Sequence, residues 1–304
     1  MTQVHNNPET KRGVQAFLTN EQQRVVHHDL INPAKVIAVA GAGKTTTLIS
    51  RIEHLLSEGV DPSHIGVFMF NKSAQEEFTE RLNKQLITSG YLRTPNVMTF
   101  HAFGMKFCRR LEQQGWLASA KLVTDDFSLV KMLREAVQRL ARKGEKIAIQ
   151  DEKDWLEDVL LFIDQVKASD RSAKEVFDSL DWSKERQFFP ALFDELEKLR
   201  KSSNIRFFSD LLSDPYDLIS ELASPERAQI KTFVPDFRYL LIDEFQDINP
   251  CQYELLKCLY PENCQWMIVG DVQQCIYEWR GASPDIMATQ FDSDFNQVAK
   301  YPLS

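Results

Sequence analysis

A run of small and β-branched residues, Val36-Ile37-Ala38-Val39-Ala40, empties straight into Gly41-Ala42-Gly43-Lys44-Thr45, and a helical pattern follows at once. A strand that turns through glycines into a helix is the repeating step of a parallel sheet with helices on its faces. The same turn makes a phosphate cradle. The glycines let backbone N–H groups point inward, a lysine reaches the β/γ-phosphates, and the helix N-terminus adds its dipole. Ala40, Gly41, Ala42, Gly43, Lys44, Thr45 and Thr46 are the expected cradle, with the Thr45 hydroxyl on Mg²⁺. The bland reading is a glycine turn before a helix. One departure stands out: the usual G-x-x-x-x-G-K-[ST] pattern wants glycine where this chain has Ala38.

Further short, continuous apolar runs lie at 65–70 (IGVFMF), 96–100 (NVMTF), 239–243 (YLLID) and 265–271 (QWMIVGD), with a weaker one, QVAKYPL, near the end. Their length and β-branched or aromatic content suit buried parallel strands. LTNEQQRVVHHDL reads as a helix capped by Thr19 or Asn20, and the first 17 residues are polar and expected to fray. From about Lys106 to Pro235 the pattern changes to charged helices studded with Leu and Phe. The predicted fold is α/β: a doubly wound parallel sheet interrupted by an inserted all-helical subdomain. The expected divisions are 1–105, 106–235 and 236–304.

The 304 residues are 43% hydrophobic and carry a net charge of −8, so composition does not advertise nucleic-acid binding, although a local basic groove is compatible with it. Five scattered cysteines, with no C-x-x-C pair, argue for reduced thiols in a cytoplasmic protein. The N-terminus lacks a secretory apolar core, and no run reaches the roughly 18 residues of a membrane span.

Two more strand ends carry chemistry. YLLIDEFQD closes on Asp243-Glu244. Beside a phosphate loop, the aspartate suits a magnesium ion and the glutamate suits polarising an attacking water. The bland reading is two solvated acids at a strand end. VGDVQQCIYEWRGA (269–282) offers Gln274 and Arg280 for sensing a γ-phosphate, with Tyr277 and Trp279 as stacking faces for bases. Taken alone, those two aromatics read more simply as core.

Together these motifs resemble the N-terminal half of a UvrD/Rep-type superfamily 1 DNA helicase. AVAGAGKT (38–45) matches the family's A-G-A-G-S-G-K-T, with alanine in first place. LTNEQ (18–22) resembles the Q motif, which implies that Gln22 reads adenine. FNKSAQEEFTERL (70–82) resembles T-N-K-A-A-x-E-M with Asn71 and Lys72 kept and Phe70 replacing threonine. TFHAFG (99–104) resembles T-F-H-S-F, and GDVQQCIYEWRGA resembles G-D-x-x-Q-S-I-Y-x-F/W-R-G-A with Cys275 in place of serine. The short FFSDLL (207–212) resembles a family element that precedes the acidic strand end.

The resemblance implies an ATP- and Mg²⁺-dependent 3′-to-5′ DNA helicase or translocase. Lys44, Asp243, Glu244, Gln274 and Arg280 are then catalytic, and Asn71, Lys72, Thr99, Phe100, His101, Tyr277 and Trp279 contact single-stranded DNA or an ss/ds junction. Phe103 adds a stacking face, and Lys106, Arg109 and Arg110 add phosphate contacts. The resemblance also implies that 1–105 and 236–304 are the two parts of the family's RecA-like P-loop NTPase domain 1A, and that the helical insertion is its 1B subdomain. The second RecA-like domain, whose N-Y-R-S motif is expected after VAKYPLS, is a partner in cis or in trans. A different class of reading is a naturally short, non-translocating nucleotide- and DNA-binding module, or a subunit of a repair or defence complex. A kinase has no use for TFHAFG or IYEWRGA. The remaining candidates read as structural: His27, His28 and His54 as packing or surface, Cys251 and Cys258 as core, and Trp116, Trp155 and Trp182 as core. The basic runs 141–146 and 198–206 read as solvated faces with a possible duplex contact.

Overall fold

The computed structural model describes residues 18–147, 152–260 and 264–304; the polar stretch expected to fray lies outside them. In chain order the strands are β1 (Ala34–Ala38), β2 (Ile65–Met69), β3 (Asn96–Thr99), β4 (Lys121–Leu122), β5 (Ile205–Arg206), β6 (Tyr239–Ile242), β7 (Gln265–Gly270) and β8 (Ala299–Leu303). Six form one sheet in the order β3-β2-β6-β7-β1-β8, every pair parallel. Every run read as a strand is one. β4 and β5 form a separate two-residue parallel pair, too short to leave a pattern in sequence.

The helices are α1 (Asn20–Val26), α2 (Lys44–Ser57), α3 (Lys72–Thr88), α4 (Phe100–Gln113), α5 (Asp126–Arg142), α6 (Glu152–Ala168), α7 (Ala173–Asp178), α8 (Phe189–Ser202), α9 (Asp210–Glu221), α10 (Ser224–Lys231), α11 (Pro250–Leu259) and α12 (Phe291–Asp294). Alternate side chains of β2, β3, β6 and β7 enter two different cores. Val36, Val67, Leu241 and Met267 meet Leu48, Ile52 and Phe78 of α2 and α3. Phe68, Leu240, Trp266 and Ile268 meet Phe103, Ile219 and Leu256 of α4, α9 and α11. Burial on both faces explains why these strands read as continuous apolar runs rather than alternating ones. Each large side chain fully removed from water contributes about 1.5–3 kcal/mol.

A third core, Leu133, Trp155, Phe162, Val176, Phe189, Leu192 and Leu196 among others, is built by α5 to α8. Trp155 and Trp182 sit in or against it, and Trp116 packs on the sheet-side core. Between the helical core and the sheet runs a chain of ion pairs. Lys167 pairs with Glu197 at 2.7 Å and Asp210 at 2.8 Å, and Arg200 with Asp214 at 2.6 Å. Arg206 bonds both Asp214 and Glu112. Glu197, Asp210 and Asp214 lie close enough to share a metal ion, yet each already faces a cation. This corrects the reading of 198–206 as a solvated basic face: Arg200 and Arg206 are buried, and desolvation leaves buried charges stable only when paired. Among the described residues, no helix is long and apolar enough to cross a membrane.

Candidate nucleotide site and strand-facing cleft

β1, β6 and β7 end side by side, so three chemically loaded loops share one sheet edge. After β1 the chain turns through Gly41 (φ 81°) and Gly43 (φ 78°), backbone that favours glycine. Gly43 caps α2 without a side chain, which leaves first-turn N–H groups for an anion. The Thr47 hydroxyl donates to Gly43 O at 3.0 Å. Thr45 and Thr46 are half-buried on the same turn, and the Thr46 hydroxyl accepts from Arg81 at 3.1 Å. Ala40 and Gly41 are exposed on the loop, whereas Ala42 is buried.

Gln22 is locked against this loop. Thr19 caps α1 in a reciprocal box, its N–H bonded to Gln22 Oε1 at 2.9 Å, while Gln22 Nε2 donates to Ala42 O at 3.1 Å. A Cβ on Gly43 would lie 2.5 Å from that Nε2, so the second loop glycine is demanded by contact as well as by φ.

From β6, Glu244 reaches across to Lys44, whose Nζ donates to both carboxylate oxygens at 2.7 Å. Glu244 is one of few non-glycine residues in the left-handed region, at φ 49°. Asp243 is buried, and its Oδ1 has no hydrogen-bond partner. Burial and the neighbouring Glu244 charge push its carboxyl up to about 6. A residue not singled out from sequence joins this cluster: Gln246, inside DEFQD, donates from Nε2 to Glu244 Oε2 at 2.9 Å. Its place between Glu244 and Asp247 was the signal available. From β7, Asp271 Oδ2 accepts from Gln274 Nε2 at 2.7 Å, which tethers Gln274 beside the strand end.

Arg280 is placed elsewhere. Its guanidinium lies 4.6 Å from the Trp279 ring centre and lines a cleft of about 450 Å³ between the sheet edge and the helical unit. Phe70, His101, Phe208 and Tyr277 line the same cleft. The rings are paired with one another: His101 stacks on Phe208 at 4.1 Å and 12°, and Phe70 tilts on Tyr277 at 4.9 Å. Burial lowers the His101 imidazole to about 4, so it is neutral in this stack. Trp279 is 55% exposed and Phe208 49%, which overturns the simple core reading of the tryptophan. α6 holds this loop from behind, with Gln165 Nε2 on Trp279 O at 2.6 Å.

Phe100 and Phe103 do not face the cleft. Both are buried in the sheet-side core, with Phe100 5.1 Å from the Phe68 ring, so the expectation that they stack on bases is corrected. Helix periodicity explains it: residues 100, 103 and 107 share the inner face of α4, while His101 points outward. Asn71 and Thr99 cap α3 and α4 through their side-chain oxygens, and Lys72 is exposed beside Glu76 at 3.5 Å.

Residues 18–296 match the UvrD/REP helicase N-terminal domain. The chain belongs to that family. Within the UvrD/REP family it is similar to the ATP-dependent DNA helicase Rep of Salmonella typhimurium, 31% identical over 265 residues, covering 86% of this chain and 37% of the relative. Rep of Escherichia coli is 29% identical over 264 residues with the same coverage. A probable DNA helicase of Mycoplasma pneumoniae is 30% identical over 291 residues, 93% of this chain and 52% of the relative. The chain thus spans between about a third and a half of the relatives' length. Ala38, at the head of the phosphate loop, is fully buried in the core that Leu48 and Ile52 of α2 share.

Proposed function

We propose that this chain is the ATP-binding half of a 3′-to-5′ DNA translocase or helicase, with the polarity taken from the family resemblance. The observation that carries the reading is the Lys44–Glu244 clasp beside the unpartnered Asp243 Oδ1, on the edge where the phosphate loop opens. A nucleoside triphosphate draws Lys44 onto its β/γ-phosphates and releases Glu244. The freed carboxylate accepts a proton from water as the water oxygen bonds to the γ-phosphorus. The bond from that phosphorus to the β–γ bridging oxygen breaks, giving ADP and inorganic phosphate. Asp243 and Thr45 suit a magnesium ion: one offers a buried oxygen with no partner, the other a hydroxyl on the first turn of α2. Bound there, the ion neutralises phosphate charge.

The aromatic cleft is read as the single-strand track, with Tyr277, Trp279 and His101 joined by Phe70 and Phe208. The α5–α8 unit with its own core is read as the inserted subdomain. Ile37 and Val39, 44% and 48% exposed beside the loop, fit a surface that a second RecA-like domain covers, in cis or in trans. Such a domain supplies the transition-state arginine, worth about 10³–10⁵ in rate. The chain alone therefore hydrolyses ATP slowly.

The test is ATP turnover with and without oligo-dT, on this chain and on any longer natural form, with Lys44→Ala as control. Slow turnover that Lys44→Ala abolishes, and fast strand-stimulated turnover in the longer form, support the motor. Turnover indifferent to Lys44→Ala refutes it.

A further inference from the structure

The Glu244 carboxylate has two partners, and only one of them leaves when a nucleotide takes Lys44. The other is Gln246. Its side chain is 2% exposed, and both ends of its amide are occupied. Oε1 accepts from the backbone N–H of Asp271 at 3.0 Å. That N–H can only donate, so it fixes which way round the amide sits and turns Nε2 toward the acids. Nε2 then donates to Glu244 Oε2 at 2.9 Å and reaches Asp247 Oδ2 at 3.4 Å.

The seat for this amide is built into β7. A Cβ on Gly270 would collide with Gln246 Oε1 and lie 2.9 Å from Met287 Sδ. Any side chain at the end of that strand would expel the amide. The turn that presents the residue, Phe245–Asp247, starts from Glu244 in its left-handed conformation, closed by Asp247 N on Glu244 O at 3.0 Å. A bulky residue held at positive φ is strained, and such strain persists only where the surroundings hold it.

We propose that Gln246 is the positioning residue for hydrolysis: it keeps the Glu244 carboxylate aimed at the attacking water once Lys44 has moved to the phosphates. This rests on the hydrolase reading above. Gln246 bonds Glu244 and the Asp271 backbone, and in this role it acts through Glu244. Because Oε1 hangs on Asp271, which also tethers Gln274, the amide links the acidic turn after β6 to the loop that carries Tyr277 and Trp279.

The experiment is single-turnover hydrolysis of MgATP with protein in excess, alongside the affinity of a fluorescent ATP analogue and the thermal midpoint. The variants are Gln246→Ala, Gln246→Glu, Glu244→Gln, Lys44→Ala and the doubles of Gln246 with Glu244→Gln. Loss of a proton acceptor costs about 10²–10⁴ in rate, and misaiming it about 10-fold or more. Gln246→Ala is expected to slow hydrolysis about 10-fold with affinity within about twofold. Gln246→Glu keeps the shape but loses the donor, and should be at least as slow even if the alanine variant folds poorly. In the Glu244→Gln background neither substitution should slow the reaction further, the non-additivity of groups acting as one unit. Wild-type rates in Gln246→Glu, or the same loss in both backgrounds, overturn the proposal. If Lys44→Ala and Glu244→Gln change nothing, the hydrolase reading itself fails.

Discussion

At the phosphate loop, polar side chains from three neighbouring strands answer one another across a single sheet edge. In the cleft, aromatic rings from four separate segments answer one another in pairs. The first site holds its geometry through hydrogen bonds that leave little freedom: Gln22, Lys44, Glu244 and Gln246 each have a fixed partner. The second is held by stacking, which is weaker and less directional, and its outer rings stay exposed. A site for one small anion benefits from rigid aim, whereas a track that must accept any base benefits from faces that part and re-form.

The sharpest break in this comparison is Phe100→Ala. As a core residue it should lose about 3–5 kcal/mol of stability, read from urea midpoints. A loss of oligonucleotide affinity without loss of stability would return Phe100 to the track. Next comes Gly43→Ala. Its left-handed φ and the nearby Gln22 amide should cost about 1–2 kcal/mol of nucleotide affinity, some 5–30-fold, by titration with a fluorescent nucleotide. If affinity is unchanged, the loop is less rigid than described. Trp279→Ala and Phe208→Ala should each weaken oligo-dT binding by about 1–3 kcal/mol, with stability nearly unaffected. Unchanged binding would detach the rings from the track.

The smallest effect is a pH dependence. His101 is held near 4 in the fold against an ordinary 6.5, so the unfolded chain takes up the proton first as pH falls. Stability is therefore full above about 6.5 and declines toward 4, by about 1 kcal/mol between pH 7 and 5.5. Urea midpoints for wild type and His101→Asn should show this slope and its loss.

Strands and loop were legible because each is written in consecutive residues. Val36–Ala40 is short, continuous and rich in β-branched residues, so it reads as a strand even though Ile37, Val39 and Ala40 stay exposed, and two glycines before a lysine leave few shapes. Gln22 was legible only through family resemblance and Glu244 only as an acid at a strand end, because their partners lie 20 and 200 positions away. Phe100 was misread because a motif lists neighbours in sequence, whereas a helix sends residues 100 and 101 to different faces. Arg200 and Arg206 misled for a related reason. A basic run looks solvated until the acids that meet it, Glu112 and Asp214, arrive from other elements. Gln246 was visible but carried no weight, since its meaning depends on the backbone of Asp271 and the missing side chain of Gly270.

The lysine clasp has one more consequence. An anion arriving at the loop does not meet a bare cation; it must outcompete a carboxylate that already meets Lys44 with both oxygens at 2.7 Å. On the proposed reading, ligands of low charge, such as chloride or a lone phosphate, should lose that exchange, while a triphosphate should win it with several oxygens at once. The internal carboxylate would then act as a discriminator, setting a minimum charge for admission to the site.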